Sequence, residues 1–380
     1  MDHLAAHHPS TFPVPLRRAV YMHGRGRRGI GHEAATHEAV ARRLAALLDL
    51  PYGGFRDAAP PLAPVYLVPD APLSGADVRA TFALRDENDL FGGWVPEAWM
   101  ATKAIVHPLV SDRAAAPAAW TARLAEEAVA LTLRGFTAFS TEDAVAAARH
   151  LLRAGPARLK CVNADGGQGQ FVVHDDDELS GVLGALGIGG VLSDVLAIEE
   201  NLEDVVTYSV GQVRLPGCLI SYFGTQSTTP DNDGRAAYGG SSLFVVRGGF
   251  DQLLARDLPE ETAEAVRRAV AFDALADRHV PGFIASRRNY DVARGVAPDG
   301  TRRIGLLEQS WRMGGATGAE IAALERFAAD PRIAAVRART VEVFGEAPDL
   351  PADAAVYFSG CDPRMGSMTK YACVEETIEG

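Results

Sequence analysis

Residues 306–320 read LLEQSWRMGGATGAE, and Glu308, Ser310 and Arg312 sit at alternate positions just before a Gly-Gly pair. A strand repeats every two residues, so these three side chains share one face. Burying an unpaired charge costs roughly several kcal/mol, so charges on an otherwise apolar strand need a partner. Upstream, Asp299-Gly300 stands between two strand-like runs and is a two-residue hairpin signal. If those residues form the loop, 298 pairs with 301 and Asp291 stands directly opposite Glu308. Two facing carboxylates repel unless a cation lies between them, and oxygen donors of this kind suit Mg2+. Arg312 cannot ligate a metal, but it can hold a phosphoryl oxygen alongside. The plainer alternative is an arginine–carboxylate network that only joins two strands. Two acids, an arginine and the glycine pair together favour a functional cluster.

Phosphates need cations and close backbone. RLKCVNADGGQGQFVV places Lys160 at the end of a strand and Gly166, Gly167 and Gly169 in the following turn. Glycines let backbone N–H groups approach an anion, and lysine adds a movable charge. No Lys-Ser or Lys-Thr follows the glycines, so this is not a P-loop, and a glycine hairpin beside a lysine is the competing reading. In VLAIEENLEDV an apolar strand runs into Glu199, Glu200 and Leu202. Backbone at such a strand end can pair with an adenine edge while a carboxylate takes the exocyclic amine; a plain strand end with solvated acids is the alternative. Lysine occurs only at 103, 160 and 370 in a chain with 37 basic residues, which suggests that these sites need a compact point charge. Of Arg287 and Arg288, alternation points one inward; Arg287 shares parity with Asp291 and is the candidate to grip a substrate carboxylate. Tyr238, Ser241 and Asn289 are lesser candidates, and the polar, glycine-rich segment 225–242 could form a lid.

Other patterns carry less. GRGRRG at 24–29 fits a dinucleotide turn, but no clear acidic partner follows about 20 residues on. Its Arg25, Arg27 and Arg28 could meet an anionic substrate or form a solvated turn. HEAATH resembles a zinc helix, yet His32 and His37 are five apart and miss a common face. HDDDE at 174–178 reads as an acidic helix start.

The elements that must position these groups are readable in outline. A strand, glycine turn and amphipathic helix open the chain, and PEAWMATKAIVHPLV suggests a helix carrying Lys103. Helices are expected near 115–154, with Ser140 or Thr141 as a cap, and over 259–279. Strands fill 196–224, a hairpin spans 283–310 and short strands close the tail. The mixture predicts α+β lobes behind an α/β N-terminal unit. At 380 residues, 47% hydrophobic and 23% charged, the chain is long enough for two or three lobes. A net charge of −12 argues against a broad nucleic-acid footprint. No apolar run long enough to span a membrane is present, and the N-terminus lacks a secretory signal. Four scattered cysteines read as reduced thiols, so a cytoplasmic protein is expected.

The succession of these parts resembles the ATP-grasp superfamily. Lys103, Lys160 with DGGQGQ, the IEENL hinge, YDVARG and LEQSWRMGG follow in that order from about residue 95 to 320. DLFGGWVP, TYSVGQV, SRRNYDVARG and LEQSWRMGGATGAE resemble an uncharacterised bacterial branch along nearly the whole chain. The resemblance implies an ATP-grasp fold with a Rossmann-like N-terminal lobe: lobes at 1–100, 101–197 and 198–345, with strands at 346–380 on the last. It implies ATP between two lobes, with Lys103 and Lys160 on its phosphates, Gly166, Gly167 and Gly169 over them, and Glu199, Glu200 and Leu202 at adenine. Asp291, Glu308 and Ser310 would bind Mg2+, as one ion or two, with Mn2+ able to substitute. Arg312, Lys160 and Arg287 would be the catalytic set. The implied reaction is ligation of a small-molecule carboxylate to an amine or similar nucleophile through an acyl phosphate, with a homodimer as the assembly considered. A small-molecule kinase and a non-catalytic nucleotide-binding protein are the alternatives. The family pattern has asparagine where this chain has Ser310, and often proline where it has Cys161.

Overall fold

The computed structural model describes residues 19–24, 31–56, 64–120, 122–164, 169–188, 191–192 and 195–380. Gly166, Gly167 and the three arginines of GRGRRG lie outside the described residues. The chain opens on a parallel sheet, β2-β1-β3, formed by β1 (Val20–His23), β2 (Tyr52–Phe55) and β3 (Tyr66–Pro69), with α1 (His32–Leu47) after β1. Short β4 (Leu73–Ser74), α2 (Ala76–Thr81) and β5 (Gly93–Val95) follow. The helix expected at Lys103 is not there: the segment forms two short 3-10 turns, Ala98–Ala101 and Lys103–Ile105. Thr102 breaks the run in an extended conformation, and its hydroxyl caps Ala104 N–H. The Gln309 side chain donates to Thr102 O at 2.7 Å, so a tertiary bond overrides the helical pattern.

The middle of the chain contains α3 (Ala122–Ala128), β6 (Gly135–Ala138), α4 (Thr141–Leu152), β7 (Ala157–Cys161), β8 (Gln170–Val173) and α5 (Asp176–Leu186). After short β9 (Gly187–Ile188) and β10 (Val191–Leu192), β11 (Leu196–Glu200) completes a four-stranded sheet of order β6-β11-β7-β8. Its Leu159, Leu196 and Ile198 pack with Ala144, Ala148 and Leu151 of α4. Ser140 caps α4 through Asp143 N–H, and Asp175 caps α5, so HDDDE is the acidic helix start expected.

The largest sheet has eight strands: β12 (Glu203–Leu215), β13 (Cys218–Pro230), β14 (Ala236–Arg247), β16 (Arg287–Val296), β17 (Arg302–Ser310), β18 (Ile333–Phe344), β19 (Ala355–Asp362) and β20 (Gly366–Glu379). Short β15 (Ile284–Ala285) pairs instead with β5. Segment 225–242 is therefore not a separate lid: most of it continues the β13–β14 hairpin, with a tight turn where Asp231 N–H donates to Arg235 O. One face of the sheet packs α6 (Phe250–Leu254) and α7 (Glu260–His279), while α8 (Thr317–Ala329) and α1 share the other face's core. Among the described residues no helix is long and apolar enough to cross a membrane.

β17 lies across the segment that leads into β6, where Leu306 N–H donates to Leu131 O at 2.9 Å. Gly305 makes this approach possible, because a Cβ there would lie 2.4 Å from Leu133 N and 2.5 Å from Thr132 C, both backbone atoms. We expect Gly305→Ala to destabilise the protein by about 1–3 kcal/mol, read from its urea midpoint, because backbone must move.

Candidate functional site

The 283–310 hairpin brings Asp291 opposite Glu308 as expected, but by a different route. The loop is Pro298–Asp299–Gly300, not Asp299-Gly300 alone: Ala297 N–H donates to Thr301 O, and Gly300 has φ 77°. That turn sets Val296 against Arg302 and Val292 against Leu306, one residue away from the register a two-residue loop would impose. An irregularity at Leu307 then absorbs the extra residue and restores Asp291↔Glu308, Tyr290↔Gln309 and Asn289↔Ser310. Without that bulge, Glu308 would face Tyr290, whose side chain lies in the α7 core. The bulge turns Leu306 into that core and Glu308 onto the opposite face.

Burial and the negative charge of Glu308 push the Asp291 carboxyl up to about 7. Gln226 donates to its Oδ1 at 3.1 Å, and the charges of Arg287 and Lys103 offset part of the rise. Lys103 Nζ lies 2.8 Å from Glu308 Oε2 and donates to Ala164 O at 2.6 Å. One ammonium therefore joins the carboxylate pair to the segment leading into the glycine turn. Among the described residues no three or more His, Cys, Asp or Glu side chains converge as a ligand set. The facing pair still fits Mg2+, which commonly takes one or two carboxylates and fills its other positions with phosphate oxygens and water.

On the four-stranded sheet, Lys160 and Glu199 form a close ion pair, both buried. His107, fully buried, lies 3.2 Å from the same carboxylate through Nε2. Burial alone would raise the Glu199 pKa, but Lys160 and His107 override it and hold the carboxyl down at about 2. Gly135 admits the imidazole, since a Cβ there would lie 2.8 Å from His107 Cε1. His107 was not legible from the sequence, because nothing in its spacing marks it. Of the glycines, Gly169 adopts φ 61° and its carbonyl accepts from Cys161 N–H at 2.9 Å, beside Lys160.

The hinge residues divide. Glu199 faces Lys160, whereas Glu200 turns to the other side of β11 and pairs with Arg134 at 2.7 Å. There it lines a cavity of about 250 Å³ with Arg134, Phe136, His150, Pro156 and Pro298, and Lys160, Asp291 and Glu308 do not line it. Leu202 packs with Leu133, Ala297 and Leu307. Arg287 points inward as its parity predicted, but it does not reach out for a substrate. It is 1% exposed, pairs with fully buried Glu320 at 2.7 Å, and donates to Arg312 O and Ser310 O. Its role in this geometry is to hold the Ser310–Arg312 turn. Ser310 Oγ lies 3.4 Å from Arg287 Nη1, and the Arg312 guanidinium donates to Met313 O at 2.8 Å. Asn289, opposite Ser310, donates to Ser209 Oγ and Tyr222 Oη, which brings it into the same buried network.

The raised Asp291 pKa fixes a sign. Between about pH 4 and 7 the folded state keeps a proton that the unfolded chain releases, so stability falls as pH rises through that window. The full effect is at most ~4 kcal/mol, and partial exposure of Asp291 reduces it. We expect Asp291→Asn to raise stability at pH 8 by about 1–2 kcal/mol without added metal, and the gain to vanish near pH 4; parallel denaturation curves measure both.

Comparison with known proteins places this geometry in a recognised fold. No curated protein matches the sequence. The biotin carboxylase domain of Hydrogenobacter thermophilus 2-oxoglutarate carboxylase, solved with MgADP, ADP and bicarbonate, aligns at 13% identity over 93% of this chain and 86% of that one, with a TM-score of 0.52. Rhizobium etli pyruvate carboxylase aligns at 10% identity over 94% of this chain and 36% of that one, with a TM-score of 0.50. Campylobacter jejuni biotin carboxylase aligns at 12% identity over 94% and 87%, with a TM-score of 0.49. The fold is that of the ATP-grasp enzymes. Residues 20–372 match a single family, so the chain belongs to the family described as protein of unknown function (DUF3182), an ATP-grasp-like family.

Proposed function

We propose that the chain is an ATP- and Mg2+-dependent ligase that joins a small-molecule carboxylate to an amine or similar nucleophile through an acyl phosphate. The carrying observation is the facing pair Asp291 and Glu308, tied by Lys103 to the segment before the glycine turn. The Hydrogenobacter domain, solved with a magnesium nucleotide and bicarbonate, supports the same kinds of ligand here. ATP would supply the phosphoryl group that activates the carboxylate. Asp291 and Glu308, with Ser310 beside them, would hold the metal, and Lys103 and Lys160 would neutralise phosphate charge. Gly166, Gly167 and Gly169 would close over the phosphates and exclude water. Glu199, Glu200 and Leu202 belong to the adenine end, with only Glu199 turned toward Lys160. Arg312 is assigned to the transferring group, and Arg287 acts through it. Lobes at 1–100, 101–197 and 198–345, strands at 346–380 and a cytoplasmic location are part of the same proposal.

Ser310 favours a second reading. Its hydroxyl already has Arg287 as a neighbour, which leaves fewer donors for a second ion and suits a kinase or a non-catalytic nucleotide binder. Phosphate release from Mg-ATP that needs both a carboxylate and an amine supports the ligase. A stable phosphorylated product supports the kinase, and nucleotide binding without turnover supports the binder. We expect Glu308→Gln and Asp291→Asn each to lower Mg-dependent ATP turnover ~10²-fold or more with the circular dichroism spectrum intact. Wild-type turnover in both variants would reject the metal assignment.

A further inference from the structure

The proposed function leaves one of the chain's three lysines unused. Lys370 Nζ lies 2.8 Å from Glu342 Oε1 and 3.1 Å from His32 Nδ1, at the start of α1. Sheet register puts this group on the face that carries Asp291. Gln226, the donor to Asp291, pairs with Ser241; Ser241 pairs with Thr340; two residues on, Glu342 pairs with Lys370. A register shift near Gly239 brings Tyr238 onto the same face, where its hydroxyl lies 2.5 Å from Ser241 Oγ. The charges of both Asp291 and Glu342 reach that buried phenol, which burial pushes up to about 12. From the other side, the charges of Arg312 and Lys370 both reach His37, whose pKa is lowered chiefly by burial. Asp291, the Tyr238–Ser241 pair and Lys370 with Glu342 thus lie along one face of the sheet, on the side where Lys370 meets the first turn of α1.

The alternative role for Lys370–Glu342 is a staple between β18 and β20. The same two strands are stapled elsewhere by Arg337–Glu376 and Arg339–Glu375, pairs 39–54% exposed. Where this chain needs only a surface pair across these strands, it uses arginine. The lysine appears where the pair is withdrawn from water, with side chains 16% and 11% exposed. A buried ion pair adds little net stability over an apolar pair, so stability does not account for its placement.

Resting on the reading of Asp291 and Glu308 as the metal site, we propose that Lys370 and Glu342, flanked by His32, recognise the second substrate as a small zwitterion. Its anionic group meets Lys370 and its ammonium meets Glu342, whose 2.8 Å separation calls for opposite charges close together, as where ammonium and carboxylate share one carbon in an α-amino acid head group. The rest of the molecule extends along the Tyr238–Ser241 tract toward Asp291 and Glu308.

The test is thermal shift of the full chain with Mg-AMPPNP and a panel of α-amino acids of differing side chains, each beside its N-acetyl and methyl ester derivatives. A further midpoint rise is expected with at least one free amino acid and with neither of its derivatives. Lys370→Arg keeps an ion pair across the strands, so its own midpoint stays near wild type while the amino acid concentration needed for the shift rises ~10-fold or more. Glu342→Gln is expected to weaken the same response. The proposal fails if Lys370→Arg responds like wild type, if the blocked derivatives act equally well, or if no amino acid registers although Mg-AMPPNP does. No shift with Mg-AMPPNP itself would reject the nucleotide reading instead.

Discussion

Two carboxylates facing each other across a strand pair are the constraint on which the rest of this structure depends. Burial and the nearby charge of Glu308 raise the proton affinity of Asp291, while Gln226, Arg287 and Lys103 offset part of the rise. Such a pair is costly for the protein alone and offers donors of the kind that hold a divalent cation. Neighbouring side chains hold the pair in place. The bulge at Leu307 aims Glu308, Gln226 steadies Asp291, and the Arg287–Glu320 pair anchors the turn that follows Ser310.

Two lysines meet opposite demands around that pair. Lys103 links two sheets: its ammonium touches Glu308 on the eight-stranded sheet and the Ala164 carbonyl just beyond β7 of the four-stranded one. One charge therefore has partners on both. Lys160 belongs to one sheet and is held by Glu199, itself backed by His107. That chain of contacts fixes Lys160 in a dry setting, where a point charge acts at greater strength than in water. Arg287 shows how an arginine next to a site can serve it without touching a ligand. Its planar fork satisfies a buried acid and two carbonyls at once, which lysine could not do.

Much of the site was legible from local pattern. Alternation placed Glu308 and Ser310 on one face, the Asp-Gly turn located the hairpin, and parity turned Arg287 inward. The facing of Asp291 and Glu308 was reached although the loop is one residue longer than its Asp-Gly signal suggests. The bulge at Leu307 cancels that difference, and no single-strand pattern announces a bulge. The helix expected at Lys103 failed because Gln309, more than 200 residues away, captures the carbonyl of Thr102.

Sequence by itself determined the hairpin at Asp299-Gly300, the caps of α4 and α5 and the shared face of Glu308 and Ser310, since these follow from spacings of a few residues. Only tertiary structure decided which acid meets which cation. His107 behind Glu199, Glu320 behind Arg287, Gln226 on Asp291 and His32 beside Lys370 are contacts across 33 to 338 positions of chain. A side chain's partner at that separation depends on how sheets twist and lobes pack, and local periodicity has no information about either.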